Sequence, residues 1–272
     1  MHNLEKLKKY IGQYGKVAIA FSGGVDSSFL LKAACDALGK EKVVAITLKA
    51  AVNPEHEVEE AVELAELTGA KHIVIPVDVM SIPGFSENPP DRCYICKTAI
   101  FERIIKEARE YGIDVIFDGT NADDENDYRP GMRALKELGV ISPLKACGMG
   151  KKEIRQLSME MGISTWDKPS MACLASRVPY NEPITEEKLR LVGKAEGLLQ
   201  AMGFIQFRVR CHGKLARVEI APEEMGKALD IMVMKRINDE LKEAGFSYVA
   251  LDMQGYRTGS LNETLKAADL EE

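Results

Sequence analysis

The chain has 272 residues, of which 46% are hydrophobic and 29% are charged, and its formal net charge is −6. This length and balance predict one large domain or two with a real core, and the acidic balance argues against a nucleic-acid partner, whose phosphates it would repel. No apolar run approaches the ~20 residues of a membrane-spanning helix and no early stretch resembles a signal peptide, so we expect a cytoplasmic protein with no membrane partner.

Strands and helices are predicted to alternate over the first two thirds of the chain. Short apolar runs predict strands at Lys16–Phe21, Val43–Leu48, Lys71–Val77, Ile113–Phe117 and Val140–Ile141. Helical spacing and end signals predict helices at Met1–Tyr14, after Phe21, over 53–67, from near Cys93, and over Lys151–Met161. This alternation indicates an α/β domain with a parallel sheet, helices on both faces and ligands at the carboxyl ends of its strands.

The pattern changes after a stretch of helix breakers. We predict a first domain over 1–167, a linker over 168–183 that carries Cys173, and a second domain over 184–272. The second domain is expected to have a helix over 185–202, strands over 204–211 and 215–220, a long helical region through Ala244 and a strand over 248–252. It is therefore a smaller α+β domain.

The turn after the first strand, Ser22–Ser28 with the sequence SGGVDSS, carries the clearest chemistry. Gly23 and Gly24 allow the backbone to approach a ligand closely. The hydroxyls of Ser22, Ser27 and Ser28 and the free N–H groups of the helix start favour a phosphate. Asp26 can reach Mg²⁺ or a phosphate-bound water, although a helix-capping carboxylate is the alternative.

This turn resembles the PP-loop of ATP pyrophosphatases, which cleave ATP to AMP and pyrophosphate while adenylating a substrate. The resemblance implies a domain of the adenine nucleotide alpha-hydrolase-like fold, with ATP and Mg²⁺ bound at Ser22–Ser28. The alternative is a tight Gly-Gly turn capped by serines.

Three of the six cysteines are candidates for metal binding. Cys93 and Cys96 stand at a predicted helix start, where the positive end of the helix dipole favours thiolates. Cys173 lies in the irregular linker. Three thiolates can hold a [4Fe–4S] cluster by three irons, whereas a structural zinc site usually needs a fourth ligand. The remaining cysteines, Cys35, Cys147 and Cys211, are interpreted as core or incidental residues.

Two sets of polar residues each have two possible interpretations. Arg208 and Arg210 alternate along a predicted strand and share one face, as in a phosphate clamp or an exposed basic face. An acidic loop, which contacts the nucleotide or is simply solvated, follows the fourth strand and contains Asp118, Asn121, Asp123 and Asp124.

Taken together, the chain resembles the LarE family of ATP-dependent sulfur transferases, which help to make the nickel-pincer cofactor of lactate racemase. The resemblance lies in SGGVDSS, NPPDRC, KPSMACLASRVPY, FRVRCHGKLARVEI and LDMQGYRTGS. It implies adenylation of a carboxylate of pyridinium-3,5-biscarboxylate mononucleotide, followed by displacement of AMP by sulfur to give a thiocarboxylate. It also implies a C-terminal domain that forms a homo-oligomer, commonly a hexamer, and contacts substrate phosphate.

The family has two sulfur strategies, a single sacrificial cysteine or a [4Fe–4S] cluster on three cysteines. The resemblance implies the cluster type here, with Cys93, Cys96 and Cys173 as ligands and a sulfide donor. It further assigns catalysis to Cys173 and Asp26, substrate phosphate to Arg208 and Arg210, and a possible metal ligand to Glu196. A PP-loop tRNA thiolase and a nucleotide- or metal-binding sensor without catalysis remain as alternatives.

Overall fold

The structure, a computed structural model, describes residues 2–126, 130–169 and 173–265. The chain divides into two units, one made of Met1–Asp78 and Cys93–Met171 and the other of Val79–Arg92 and Ala172–Glu272. The segment Val79–Arg92, which the sequence places in the first domain, therefore belongs with the second unit. Residues 170–172 of the predicted linker lie outside the described residues.

The first unit is built on a parallel sheet. Its strands are β1 Val17–Ala20, β2 Val43–Lys49, β3 Lys71–Pro76 and β4 Ile116–Phe117, in the order β3-β2-β1-β4. Its helices are α1 His2–Ile11, α2 Val25–Leu38, α3 Glu55–Thr68, α4 Arg92–Glu110, α5 Gly131–Glu137, α6 Pro143–Ala146 and α7 Lys151–Glu160. The predicted α/β class and parallel sheet are confirmed.

Each face of this sheet carries its own apolar core. In β1, Val17 and Ile19 pack with buried residues of α1, α2 and α7, whereas Ala18 packs with buried residues of α4. Successive side chains of a strand point to opposite faces, so one short apolar strand serves both cores. Helices therefore cover both faces, as the alternating sequence pattern predicts.

The fourth strand is shorter than the sequence predicts. The backbone N–H of Ile113 donates to the carbonyl of Ala108 at 3.1 Å, so this residue closes the end of α4 and does not join the sheet. The strand starts only at Ile116, and Ile141 forms a single parallel bridge to Phe117. A run of apolar residues cannot by itself show where helix-end hydrogen bonds stop and strand pairing starts.

The second unit is a three-stranded mixed sheet with helices. Its elements are α8 Glu186–Ala201, β5 Phe207–His212, β6 Leu215–Ile220, α9 Pro222–Ala228, α10 Ile231–Ala244 and β7 Tyr248–Leu251. Strand β6 pairs antiparallel with β5 and parallel with β7. The predicted long helical region is two helices, because the Asp230 carboxylate caps α10 by accepting from the N–H of Met232 and Val233.

Asn88 joins Val79–Arg92 to the rest of the second unit. Its fully buried side-chain amide donates to the carbonyls of Val178, Pro179 and Glu182 at 3.3, 2.7 and 3.0 Å. Its side-chain oxygen accepts from Arg92, and its φ is +58°. Asn tolerates this left-handed conformation better than most residues, which suits it to this turn.

Among the described residues, none of the helices is long and apolar enough to cross a membrane.

Candidate active site

The SGGVDSS turn connects the carboxyl end of β1 to the start of α2 and is braced by its own serines. The Ser22 and Ser27 hydroxyl oxygens are 3.1 Å apart, and the Ser27 hydroxyl also donates to the Gly24 carbonyl at 3.2 Å. The Ser22 N–H donates to the Ser27 hydroxyl oxygen at 3.3 Å. These serines therefore hold the shape of the turn in addition to offering hydroxyls to a ligand.

At two glycines in or beside the turn, neighbouring atoms leave no room for a side chain. Gly23 has a φ of +69°, and a Cβ there would lie 2.9 Å from the Cβ of Ala61 in α3. A Cβ on Gly119, which follows β4, would lie 3.1 Å from the backbone nitrogen of Ser27. Gly24 is the N-cap of α2 and, having no side chain, makes no side-chain cap to the first N–H groups of that helix. The first N–H groups of a 14-residue helix are thus left for an anion.

Asp26, in the first turn of α2, has one committed and one uncommitted carboxylate oxygen. Oδ2 accepts from the Nζ of Lys151, at the start of α7. Oδ1 is buried, and in the described part of the chain it has no hydrogen-bond partner. A buried carboxylate oxygen without a partner is costly, and a hard cation such as Mg²⁺ would satisfy it. Asp26 therefore fits the predicted role at a metal and phosphate site.

Sequence reasoning missed two lysines beside the turn. Lys151 pairs with Asp26, and the Nζ of Lys168 lies 3.4 Å from the Gly23 carbonyl oxygen and 2.6 Å from a carboxylate oxygen of Glu60. Lys151 directly follows Gly150, the N-cap of α7, and Lys168 opens the KPSMAC segment. Both lysines stand beside recognisable sequence features, but they are so far from the turn along the chain that the sequence does not indicate the contact.

The acidic loop after β4 is largely internal. Asp118 is buried and accepts from the hydroxyls of Ser142, at 2.5 Å, and Thr120. Burial raises the pKa of Asp118, although both hydroxyls and Lys97 oppose that shift. A carboxylate oxygen of Asp123 accepts from the backbone N–H of Lys151 at 2.7 Å and so caps α7. These two side chains support the site and are not simply solvated.

A short hydrogen-bond chain supports the turn from the neighbouring strands. The buried Thr47 hydroxyl of β2 donates to the carbonyl of Phe21 at 2.7 Å and lies 2.8 Å from Nε2 of His72 in β3. Since the single hydroxyl proton of Thr47 goes to Phe21, Nε2 of His72 is the donor in the second contact. Burial lowers the pKa of His72. These hydrogen bonds hold the backbone of Phe21, the residue directly before the SGGVDSS turn.

The three candidate cluster cysteines fall in both units. Cys93 and Cys96 lie in the first turn of α4, where Cys93 is exposed and Cys96 half-buried. Cys173 is exposed and precedes a turn of 3₁₀ helix over Leu174–Arg177. Within the described ranges, no group of three or more His, Cys, Asp or Glu side chains is arranged to hold a metal ion. Thiols one helical turn apart and open to solvent are nevertheless suitable cluster ligands.

The other three cysteines agree with a packing role. Cys147 and Cys211 are buried, and burial raises the pKa of both thiols. Burial likewise raises the pKa of Cys35 to about 11. Thiols that stay protonated at neutral pH are poor nucleophiles and poor metal ligands.

In the second unit, Glu196 is committed to an arginine. Its carboxylate accepts from Nε and NH2 of Arg177, both at 2.8 Å, and also from the backbone N–H of Val209 at 2.9 Å. Arg177 is fully buried and also donates to the Cys173 carbonyl at 3.1 Å. A metal ion on Glu196 would have to displace this guanidinium, which also links Glu196 to the Cys173 backbone.

Arg208 and Arg210 lie on one face of β5, as predicted, but both are buried, which excludes an exposed basic face. Arg210 makes a two-point contact with Glu219 at 3.1 and 2.8 Å and donates to Ser260 at 2.8 Å. Arg208 donates to the Phe207 carbonyl at 2.5 Å, and its guanidinium lies 5.0 Å from the ring centre of Tyr256.

Burial and the nearby cationic Arg177 lower the pKa of Arg208, with Arg210 adding a smaller effect in the same direction. Guanidiniums bind phosphate well, but Glu196 and Glu219 already pair with two of these three, Arg177 and Arg210. Of the two predicted clamp residues, Arg210 already has its charge matched by Glu219.

The chain is similar to known proteins over nearly its whole length. Residues 2–88 match the NAD synthase family. An uncharacterized protein of Synechocystis sp. is 40% identical over 262 residues, which cover 96% of this chain and 97% of that protein. The pyridinium-3,5-bisthiocarboxylic acid mononucleotide synthase of Lactiplantibacillus plantarum is 36% identical over 256 residues, 94% of this chain and 92% of that protein. With this similarity over nearly its whole length, the chain belongs to the LarE family of ATP-using PP-loop enzymes.

Proposed function

We propose that this protein is an ATP-dependent sulfur transferase that acts on pyridinium-3,5-biscarboxylate mononucleotide. It adenylates a carboxylate of that substrate and converts it to a thiocarboxylate, with sulfur supplied through a [4Fe–4S] cluster. The substrate is taken from the printed name of the Lactiplantibacillus plantarum relative, a bisthiocarboxylic acid mononucleotide synthase. The product serves the nickel-pincer cofactor of lactate racemase.

The observation that carries the proposal is the bare helix start at Ser22–Ser28 beside the uncommitted oxygen of Asp26. Backbone N–H groups and the helix dipole stabilise the phosphates of ATP. The buried Oδ1 of Asp26 offers a site for Mg²⁺, and Lys151 holds the other oxygen of the same carboxylate. Phosphate donors and a metal ligand therefore lie on one turn, as cleavage between the α- and β-phosphates requires.

The chemistry needs two displacements. A carboxylate oxygen of the substrate attacks the α-phosphorus of ATP, the bond to the bridging oxygen breaks, and pyrophosphate leaves. A sulfur nucleophile then attacks the carbonyl carbon of the acyl adenylate, and AMP leaves. The cationic surroundings of the turn stabilise the charge that builds on pyrophosphate, and binding both reactants removes much of the entropic barrier.

Cys93, Cys96 and Cys173 would hold the cluster. A [4Fe–4S] cluster held by these three thiolates would carry a non-protein ligand, such as sulfide from a donor, and would supply that sulfur for the transfer. Two contacts within the second unit hold the backbone near Cys173. Arg92 donates to the Ala175 carbonyl at 3.3 Å. Arg177 adds a bond to the Cys173 carbonyl itself.

The buried arginines of β5 would bind the phosphate of the mononucleotide. Arg208 would contact the phosphate directly, and Arg210, tied to Glu219 and Ser260, would also shape the site. The second unit would in addition form the homo-oligomer. Its exposed apolar side chains agree with self-association, since Leu229, Ile231 and Met232 are 56%, 74% and 71% exposed.

Pyrophosphate release tests the adenylation step. Purified protein with ATP, Mg²⁺ and the dicarboxylate mononucleotide should release pyrophosphate, and Asp26→Ala should abolish the release while circular dichroism shows an intact fold. Asp36→Ala is the matched control, because Asp36 lies in the same helix and pairs with Lys32 away from the turn. Undiminished release by Asp26→Ala would remove this residue from the mechanism. ATP binding without acceptor-dependent release would favour a sensor.

Single cysteine variants test the source of sulfur. Under the cluster proposal, each of Cys93→Ala, Cys96→Ala and Cys173→Ala should lose iron, acid-labile sulfide and transfer activity after anaerobic purification. Cys35→Ala is the control, since Cys35 is partly buried and packs against the core of the first unit. Normal sulfur transfer by the Cys93 and Cys96 variants, with a mass loss at Cys173 in used enzyme, would instead establish a sacrificial cysteine.

A further inference from the structure

The segment before Pro169 is tied to α7 through its backbone. Arg155 of α7 donates from NH1 to the Trp166 carbonyl at 2.9 Å and from NH2 to the Lys168 carbonyl at 2.7 Å. The Lys168 N–H closes a turn onto the Thr165 carbonyl at 3.0 Å. The backbone of Lys168 is thus held in place, so its side chain has a defined starting point.

From that backbone position the Lys168 ammonium reaches the SGGVDSS turn. It lies 2.6 Å from a carboxylate oxygen of Glu60 in α3 and 3.4 Å from the Gly23 carbonyl oxygen. The Lys168 side chain is only 17% exposed, whereas the Glu60 side chain is 45% exposed. The cation is therefore sheltered beside the turn, while its carboxylate partner is half in solvent.

This arrangement favours an exchange of partners. Half-exposed ion pairs are weak, because water competes for both charges. A phosphate on the turn would carry more charge than Glu60 and would present several acceptor oxygens close to Gly23. A lysine is a compact charge on a flexible stem, so its ammonium can move by a few ångströms without a backbone change.

We propose that Lys168 contacts the phosphates of bound ATP, and that Glu60 holds its ammonium at the turn only while the nucleotide is absent. This inference rests on the proposed nucleotide site at Ser22–Ser28. It assigns opposite effects to the two partners of one ion pair. Loss of Lys168 removes a contact to ATP, whereas loss of the Glu60 charge removes a competitor for Lys168.

Calorimetric titration of the full chain with ATP and Mg²⁺, without acceptor or sulfur donor, tests the inference. Lys168→Gln should weaken ATP binding by about 10- to 100-fold, the value of a charge-assisted hydrogen bond. Lys168→Arg should restore part of that loss. Glu60→Gln should strengthen binding by a few-fold, and Glu60→Gln combined with Lys168→Gln should behave like Lys168→Gln alone. Lys152→Gln, at an exposed lysine of α7, should change nothing.

Two results would overturn the inference. Unchanged ATP affinity in Lys168→Gln would show that this ammonium does not contact the phosphates. Weaker binding in both Lys168→Gln and Glu60→Gln, together with lower thermal stability of both, would show that the ion pair is merely structural. If the unmodified protein binds no ATP, the nucleotide site itself is refuted, an outcome distinct from binding that ignores Lys168.

Discussion

Replacement of Glu196 by Gln separates a structural ion pair from a metal ligand. The two carboxylate oxygens each accept from Arg177 at 2.8 Å, and the side chains of Arg177 and Glu196 are 0% and 6% exposed. Gln keeps the shape and the oxygen that accepts from Val209, but it leaves the buried guanidinium without its counter-charge. Removing one partner of a buried ion pair costs about 3–5 kcal/mol. Because Gln retains an acceptor, we expect about 3 kcal/mol, the lower end of that range.

Urea unfolding followed by circular dichroism measures this cost, by linear extrapolation of the free energy of unfolding. Glu240→Gln is the control, since its pair with Arg236 is exposed and should lose only about 0.3–0.5 kcal/mol. The double variant Arg177→Met, Glu196→Gln removes both charges, keeps the acceptor for the Val209 N–H and should recover part of the stability lost by Glu196→Gln alone.

The opposite pattern would refute this reasoning. If Glu196→Gln unfolds at the same urea concentration as the unmodified protein, the ion pair does not stabilise the second unit. If that variant also loses a metal that the unmodified protein retains after dialysis, Glu196 is a metal ligand, as the family resemblance implies. Metal content and unfolding are measured on the same samples, so the two roles cannot be confused.

Two further changes probe the first unit. Gly23→Ala should greatly weaken ATP binding, because the new Cβ would lie 2.9 Å from the Cβ of Ala61, at a residue whose φ is +69°. Gly15→Ala is the control and should bind ATP normally, since a Cβ there meets nothing within 4 Å. Equal ATP affinities of the two variants would disprove the argument from close approach. Because burial raises the pKa of Asp118, its contribution to stability is full below the unfolded-state pKa of about 3.9 and is lost as pH rises through the folded-state pKa. The free energy of unfolding of the unmodified protein, relative to Asp118→Asn, should therefore fall from pH 4 towards neutrality; a difference that rises with pH would contradict the raised pKa.

The sequence alone determined the features that depend on neighbours along the chain. The strand–SGGVDSS–helix order of Val17–Leu38 follows from a short apolar run, two glycines and helical spacing, and the structure shows the same order. The shared face of Arg208 and Arg210 follows from the two-residue period of a strand. The end of α3 at Gly69, with a φ of +69°, follows from the tolerance of glycine for the left-handed region.

Only the tertiary structure decided which distant side chains meet and how deeply they are buried. Lys151 reaches Asp26 across 125 positions, Lys168 reaches Gly23 across 145, and Asn88 bonds three carbonyls 90 to 94 positions away. Nothing local in the sequence marks these partners, because the packing of whole helices and strands sets the contacts. Burial also sets the surroundings of charged groups: Glu196 is the buried counter-ion of Arg177, and Arg208 is a buried cation instead of a solvated one. Interactions between charged side chains become strong and selective only where water is excluded from around them, and it is the folding of the chain that excludes the water.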